Sequence, residues 1–269
     1  MSKNYASLYV YITDPPDIKI ETGEDGCERI RAVLLSGLSS RIPHKGPDGE
    51  IESYQWDRPL IFTSDRDFIR NCLYRPGTEA PEDRALVHKG DMMIVEGKVW
   101  AKKNKRKYAC PKCGEVYFHE GLSVYIEPQY LLVCRQGLQE DEAVRELIKA
   151  NESSNIVHLL GKVSEDPEFM EREGRDSACL TIRMDPEENG HMLPLIKVFG
   201  KRAREYGDMV WEGSEIYVNG ALQSRIGNIE IDCGMCGTTF IVQAVETVLV
   251  PYRIEPVRYC VVPEKDSEY

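Results

Sequence analysis

Cys110 and Cys113 in CPKCG, and Cys233 and Cys236 in CGMCG, form two C-x-x-C pairs, each followed by a glycine. A closed structural zinc site takes four ligands, so each pair is half of one. The trailing glycine permits the tight backbone turn around the sulfurs. Four thiolates around one zinc would tie together two distant parts of the chain. Two separate knuckles, a site completed by a second chain, and pairs without metal are the other arrangements open to these residues. A redox dithiol usually opens a helix within a βαβ unit, whereas both pairs here lie between runs of strand character. Cys27, Cys72, Cys134, Cys179 and Cys260 have no partners matched between the two regions and read as small buried apolar groups.

A second concentration of chemistry precedes the first pair. KVWAKKNKRK, from Lys98 to Lys107, carries six basic residues in ten and no acidic one: Lys98, Lys102, Lys103, Lys105, Arg106 and Lys107. Trp100 sits among them. Ammonium groups neutralise phosphates, and ring faces stack on bases of any identity. The run reads as one strand and the loop after it, and it suits a single-stranded nucleic acid. The net charge of −11 does not exclude such a partner, because local patches decide binding. No G-x-x-x-x-G-K-[ST], G-x-S-x-G or H-E-x-x-H motif is present, and the five histidines show no ligand or relay spacing. Catalysis and a small-molecule substrate are therefore not expected.

Hydrophobic residues make up 42% of the 269, enough for two cores of ordinary size. No apolar run approaches a membrane span, and MSKNYASLYVYITDPP does not read as a signal peptide. An odd count of nine cysteines in such a chain suggests reduced thiols or metal rather than disulfides. A cytoplasmic protein without membrane association is expected.

These residues are positioned by a unit written twice. At a fixed offset of 123, Gly90, Val95, Gly97, Cys110, Cys113, Gly114, Tyr117 and Pro128 fall on Gly213, Val218, Gly220, Cys233, Cys236, Gly237, Phe240 and Pro251. Each copy reads as short β-branched and aromatic runs: ASLYVYIT, RIRAVLL, RPLIFT, DMMIVEGKVWA and LSVYIEPQYLLV, then NIVHLLGKV, ACLTIRM, PLIKVFG, SEIYVNGALQSRI and AVETVLVPYRI. DRDFIRNCLY and KRAREYGDMV are helical candidates between the third and fourth runs. Five strands with a helix in that place is the order of an OB-fold, a five-stranded Greek-key barrel. The class is mostly β, with two tandem barrels whose knuckles lie in the loop between the last two strands. Between the copies, LQEDEAVRELIKANESSN has helical apolar spacing and an acidic first turn, which predicts a linking helix and a polar loop. Expected boundaries are 1–137, a link over 138–154, a second barrel over 155–262 and a short tail over 263–269.

The second copy resembles the bacterial single-stranded-DNA-binding protein family. The residues that carry this are Asn155, Val157, Leu159, Gly161, Asp166, Pro167 and Glu168, then Phe199, Gly200, Lys201 and Ala203, then Gly213, Ser214, Val218, Gly220 and Leu222. The resemblance covers about 155–226 and reaches the first copy mainly through the duplication. It implies single-stranded DNA binding without strong sequence preference, serving replication, recombination or DNA transfer. It also implies base stacking on a tryptophan six residues before the phenylalanine of the F-G-K run. The first copy has such a pair, Trp56 and Phe62; the second keeps Phe199 but has Leu193 at the tryptophan position. Within one strand, Trp56 and Phe62 would share a face. Trp211 and Tyr206 read as packing groups. The family commonly works with four OB-folds, which implies a homodimer of this chain. Two departures mark a divergent member of the kind carried by a mobile genetic element: the C-x-x-C knuckles, and an ending VVPEKDSEY in place of a long acidic tail. A zinc-stabilised protein-interaction module and an RNA-binding module are the alternatives.

Overall fold

The computed structural model describes residues 3–23, 28–77, 80–150, 154–171, 178–185 and 191–257. Cys27, Cys260 and the expected tail at 263–269 lie outside them. In the first half, β1 (Lys3–Ile12), β3 (Glu28–Lys45), β5 (Leu60–Thr63), β6 (Met92–Ala109) and β7 (Val116–Arg135) close a ring. β1 pairs with β3 and β6, β3 with β5, β5 with β7 in parallel, and β6 with β7. That is the OB barrel expected. Two polar strands flank it: β2 (Asp17–Thr22) and β4 (Ile51–Asp57), both on β3. The helical stretch after β5 is a short turn, α1 (Arg66–Phe68), whose first amides are capped by the Asp65 carboxylate. It continues as a π-helical turn over Ile69–Leu73. One more turn, α2 (Pro81–Arg84), precedes β6.

The second half repeats the plan after α3 (Glu140–Ala150). β8 (Asn155–Lys162), β10 (Cys179–Ile182), β11 (Ile196–Phe199), β12 (Glu215–Asp232) and β13 (Thr239–Pro256) take the same places, with β9 (Glu168–Met170) on the edge and α4 (Lys201–Gly207) before β12. Here β10 reaches back toward β8 through a bridge between Val163 and Met184. Each first strand carries an asparagine that clamps the fourth. The Asn4 side chain donates to Val99 O at 2.8 Å and accepts from Val99 N at 2.9 Å. Asn155 does the same to Leu222, at 2.8 and 3.0 Å. Val99 and Leu222 are 123 residues apart, so the duplication extends to a backbone contact.

The halves join through β1 and β8, antiparallel from Lys3–Leu160 to Leu8–Asn155. The result is a continuous sheet, β7-β6-β1-β8-β12-β13. Alternating residues Ala6, Leu8 and Val10 of β1, and Val157 and Leu159 of β8, are fully buried in one shared core, as period-2 patterning on a half-covered sheet requires. The linking helix also packs: Ala143 and Leu147 are buried against Tyr11 and Met92, with Trp56 beside them.

β6/β7 and β12/β13 are much longer than their apolar cores predict. Both hairpins leave their barrels and run on to the knuckles. Each strand bulges at a glycine where the hairpin leaves. A Cβ on Gly97 would stand 2.0 Å from Glu127 O, and one on Gly220 2.4 Å from Val250 O. No side chain fits such a crossing, which accounts for the matched glycines.

Candidate metal centre and nucleic-acid face

The two hairpin tips are built alike. In the first, Gly114 N donates to Cys110 O at 2.9 Å and Cys110 N to Glu115 O at 2.7 Å; in the second, Gly237 N donates to Cys233 O at 2.8 Å and Cys233 N to Thr238 O at 2.9 Å. Gly114 and Gly237 have φ of 76° and 67°, the left-handed region that the turn around the sulfurs demands. The tips meet. All four Sγ atoms lie within 4.8 Å of one another. Cys110 Sγ is 3.7 Å from Cys236 Sγ, and Cys113 Sγ is 3.5 Å from Cys233 Sγ. Sulfurs around a tetrahedral ion with ~2.3 Å bonds stand about 3.8 Å apart, so the donor set and its spacing fit a metal ion. Cys110 and Cys233 are 2% and 1% exposed. A hydrogen bond from the Tyr117 hydroxyl holds the Cys233 thiol down to about 6, against the effect of burial. Backbone N–H groups, led by that of Cys113, lower the Cys110 thiol. Thiolates are the form a metal takes.

Packing behind the sulfurs crosses from one hairpin to the other. Gly234 N donates to the Tyr117 hydroxyl at 3.0 Å. The Tyr117 ring meets Phe240 at 6.1 Å, and Arg106 donates to Val245 O at 2.8 Å. Nearer the barrels, Ala101 N donates to Met192 O at 2.7 Å. Asp57, 1% exposed, accepts from Ser224 N at 2.9 Å and pairs with Arg41 at 2.5 Å.

Several expected binding residues find other surroundings. The lysine run is not a loop: β6 extends through it to Ala109. It stays regular because the first hairpin pairs residue by residue along its length. Lys102, Lys103, Lys105 and Lys107 are exposed, whereas Arg106 is committed to the second hairpin. Trp100 is not a free ring. It is 5% exposed, donates to Glu127 Oε2 at 2.8 Å, and lies under His191 of the other half at a centroid distance of 4.8 Å. Lys98 Nζ stands 5.8 Å from its centroid. Trp56 and Phe62 do not share a strand, because β4 ends at Asp57 and β5 begins at Leu60. Trp56 is half-buried on the α3 side. Phe62 meets Tyr125 edge-on at 5.4 Å. Tyr125, opposite Trp100 in the ladder, is a half-exposed ring that the sequence reading passed over. Phe199 carries the Arg225 guanidinium 4.3 Å above its ring, and exposed Lys201 lies 3.8 Å from Glu205. Trp211, expected to pack, is exposed; Tyr206 does pack, its hydroxyl accepting from Ile254 N at 3.2 Å. Among the described residues, no helix is long and apolar enough to cross a membrane.

No family model matches the sequence, and no curated protein does. Solved structures do match. An engineered deletion variant of the single-stranded DNA binding protein from Thermus aquaticus superposes with a TM-score of 0.57 at 15% identity, over 98% of each chain. The wild-type protein gives 0.55 at 14% identity, over 96% of this chain and 94% of that one. In fold, over nearly its whole length, this chain is similar to the single-stranded DNA binding protein of Thermus aquaticus.

Proposed function

We propose that this chain binds single-stranded DNA without strong sequence preference, and that zinc in the four-cysteine site is a structural ion. The observation that carries the DNA reading is β6. In a chain of net charge −11, it sets four exposed lysines, Lys102, Lys103, Lys105 and Lys107, along a strand leaving an OB barrel. Phe62 and Phe199, with Lys98 and Lys201, would extend the contact over the two barrels, and half-buried Trp56 would report it. The likeness in fold to a protein named for single-stranded DNA binding supports the same reading. The role is binding rather than catalysis: covering exposed strands during replication, recombination or transfer of DNA, in the cytoplasm. The working units are 1–137 and 155–262, joined by 138–154, and two chains pair to bring four barrels together. An all-sulfur donor set at these spacings suits zinc, whose thiolate sites are tetrahedral and closed.

Intrinsic tryptophan emission during titration with oligo-dT and oligo-U, at two salt concentrations, tests this. Oligo-dT should change the emission saturably, and salt should weaken binding. Six engaged lysines, the four exposed on β6 with Lys98 and Lys201, give a slope of log K on log salt of about −4. An emission that does not move at either salt overturns the reading, and tighter binding of oligo-U makes RNA the ligand.

A further inference from the structure

Phe118 on β7 is 66% exposed. The ladder sets it opposite Lys107, and the next pairs on that face are Lys105 with Glu120 and Lys103 with Leu122. Successive strand residues point to opposite faces. The other face of this hairpin carries Arg106 and Tyr117, both turned to the second hairpin. Phe118 and the lysines therefore occupy the hairpin's outer face. Glu120 shares it, but Lys105 holds its carboxylate at 2.9 Å. Lys103 and Lys107 keep the row cationic.

The duplicated hairpin is an internal control. At the same offset, Ile226, Asn228 and Glu230 stand where Lys103, Lys105 and Lys107 do, and Ile241 stands for Phe118. They pair in the matching register, Glu230 with Ile241 and Ile226 with Val245. Ile241 is 65% exposed, as open as Phe118, but it is not a ring and its ladder partner is Glu230. Of the two hairpins, the first sets an exposed ring beside ammonium groups, and the second has isoleucine and glutamate at the matching pair. A ring stacks on a base while neighbouring ammonium groups neutralise phosphates.

We propose that the outer face of the first hairpin is a single-stranded DNA subsite: Phe118 stacks on a base, and Lys103 and Lys107 hold phosphates on either side. The subsite rests on the single-stranded DNA reading above and carries the strand away from the barrel toward the metal-holding tip. The second hairpin, despite its common origin, takes no part.

Three variants test it against oligo-dT and oligo-U, each checked for unchanged metal content. Phe118→Ala should weaken oligo-dT binding about tenfold, the loss of one stacked base. Ile241→Ala should bind as the parent does. Phe118→Trp should restore affinity and bring a new emission that oligo-dT quenches. Parent-like binding by Phe118→Ala, or an unquenched Phe118→Trp in a chain that still binds oligo-dT, overturns the subsite and leaves the wider reading standing. If the parent itself does not bind oligo-dT, the wider reading falls and the subsite with it. A Phe118→Ala loss confined to oligo-U would make the occupant RNA and overturn the proposal as stated.

Discussion

Replacing Cys233 with serine should empty the metal centre and release the two hairpin tips from each other. Each tip supplies only two sulfurs, and the four come within 4.8 Å only because the tips meet. A hydroxyl is a poor substitute for a buried thiolate, so the closed tetrahedral set is lost. Zinc binding in small zinc-dependent folds is worth about 10–16 kcal/mol at neutral pH. With zinc bound as proposed, that free energy would hold two hairpins together rather than fold a core. What remains between the tips is the Tyr117–Gly234 contact, the Arg106–Val245 contact and the Tyr117–Phe240 packing, each bond contributing about 1 kcal/mol. The barrels keep their own core and should stay folded. Elemental analysis should find about one zinc per parent chain and far less in Cys233→Ser, and protease should newly cut the hairpins. Two zinc ions per parent chain, or a Cys233→Ser chain with full zinc and protected hairpins, contradicts a shared centre.

Asp57→Ala should strongly destabilise the fold without touching the metal centre. The Asp57 carboxylate is 1% exposed and ties β4 of one half to Ser224 of the other while pairing with Arg41. Removing one member of a buried pair costs about 3–5 kcal/mol, because the partner charge is left without compensation. Asp57→Asn also leaves Arg41 without a countercharge but keeps an oxygen for Ser224 N, so it should cost about 1 kcal/mol less than Asp57→Ala. The pH dependence has a definite sign. Burial raises the Asp57 acid above the usual carboxylate range, with Arg41 pulling it back down. The folded chain then holds this proton at pH values where the unfolded chain has released it. Stability from this group therefore falls as pH rises through that window, opposite to the usual behaviour of a paired surface carboxylate. Urea unfolding of the zinc-loaded protein across mildly acidic pH should show that slope in the parent and lose it in Asp57→Asn. An Asp57→Ala chain within about 0.5 kcal/mol of the parent would contradict the role.

What the sequence made legible was whatever the duplication repeats in residue type. Gly97 and Gly220 mark the same backbone crossing, and the C-x-x-C-G turns have the same hydrogen bonds. Contacts made between unlike parts of the halves left no such trace. Trp100 has the setting of a stacking residue in its own strand, but His191 of the other half covers it. Arg106 looks like one more cation in a basic run, but alternation turns it inward to Val245. The edge strands DIKIET and IESYQWD are short and mostly exposed, and the few apolar residues they offer, Ile18 and Ile20 in one and Ile51, Tyr54 and Trp56 in the other, are too few to announce them. The outer halves of the long hairpins are hidden for the same reason, since they pair with each other and pack against no barrel. Phe118 could have been found from the alternation of Lys103, Lys105 and Lys107, once the run was read as strand rather than loop.

The most direct test of single-strand recognition compares oligo-dT with a duplex of the same length at one fixed salt concentration. In a duplex the bases are stacked on one another and offer no face to Phe62, Tyr125 or Phe118, so only the lysine contacts to phosphate remain. With each stacked base worth about 1–3 kcal/mol, oligo-dT should bind at least about tenfold more tightly. Equal or tighter binding of the duplex would mean that the lysines act alone, and would contradict the account.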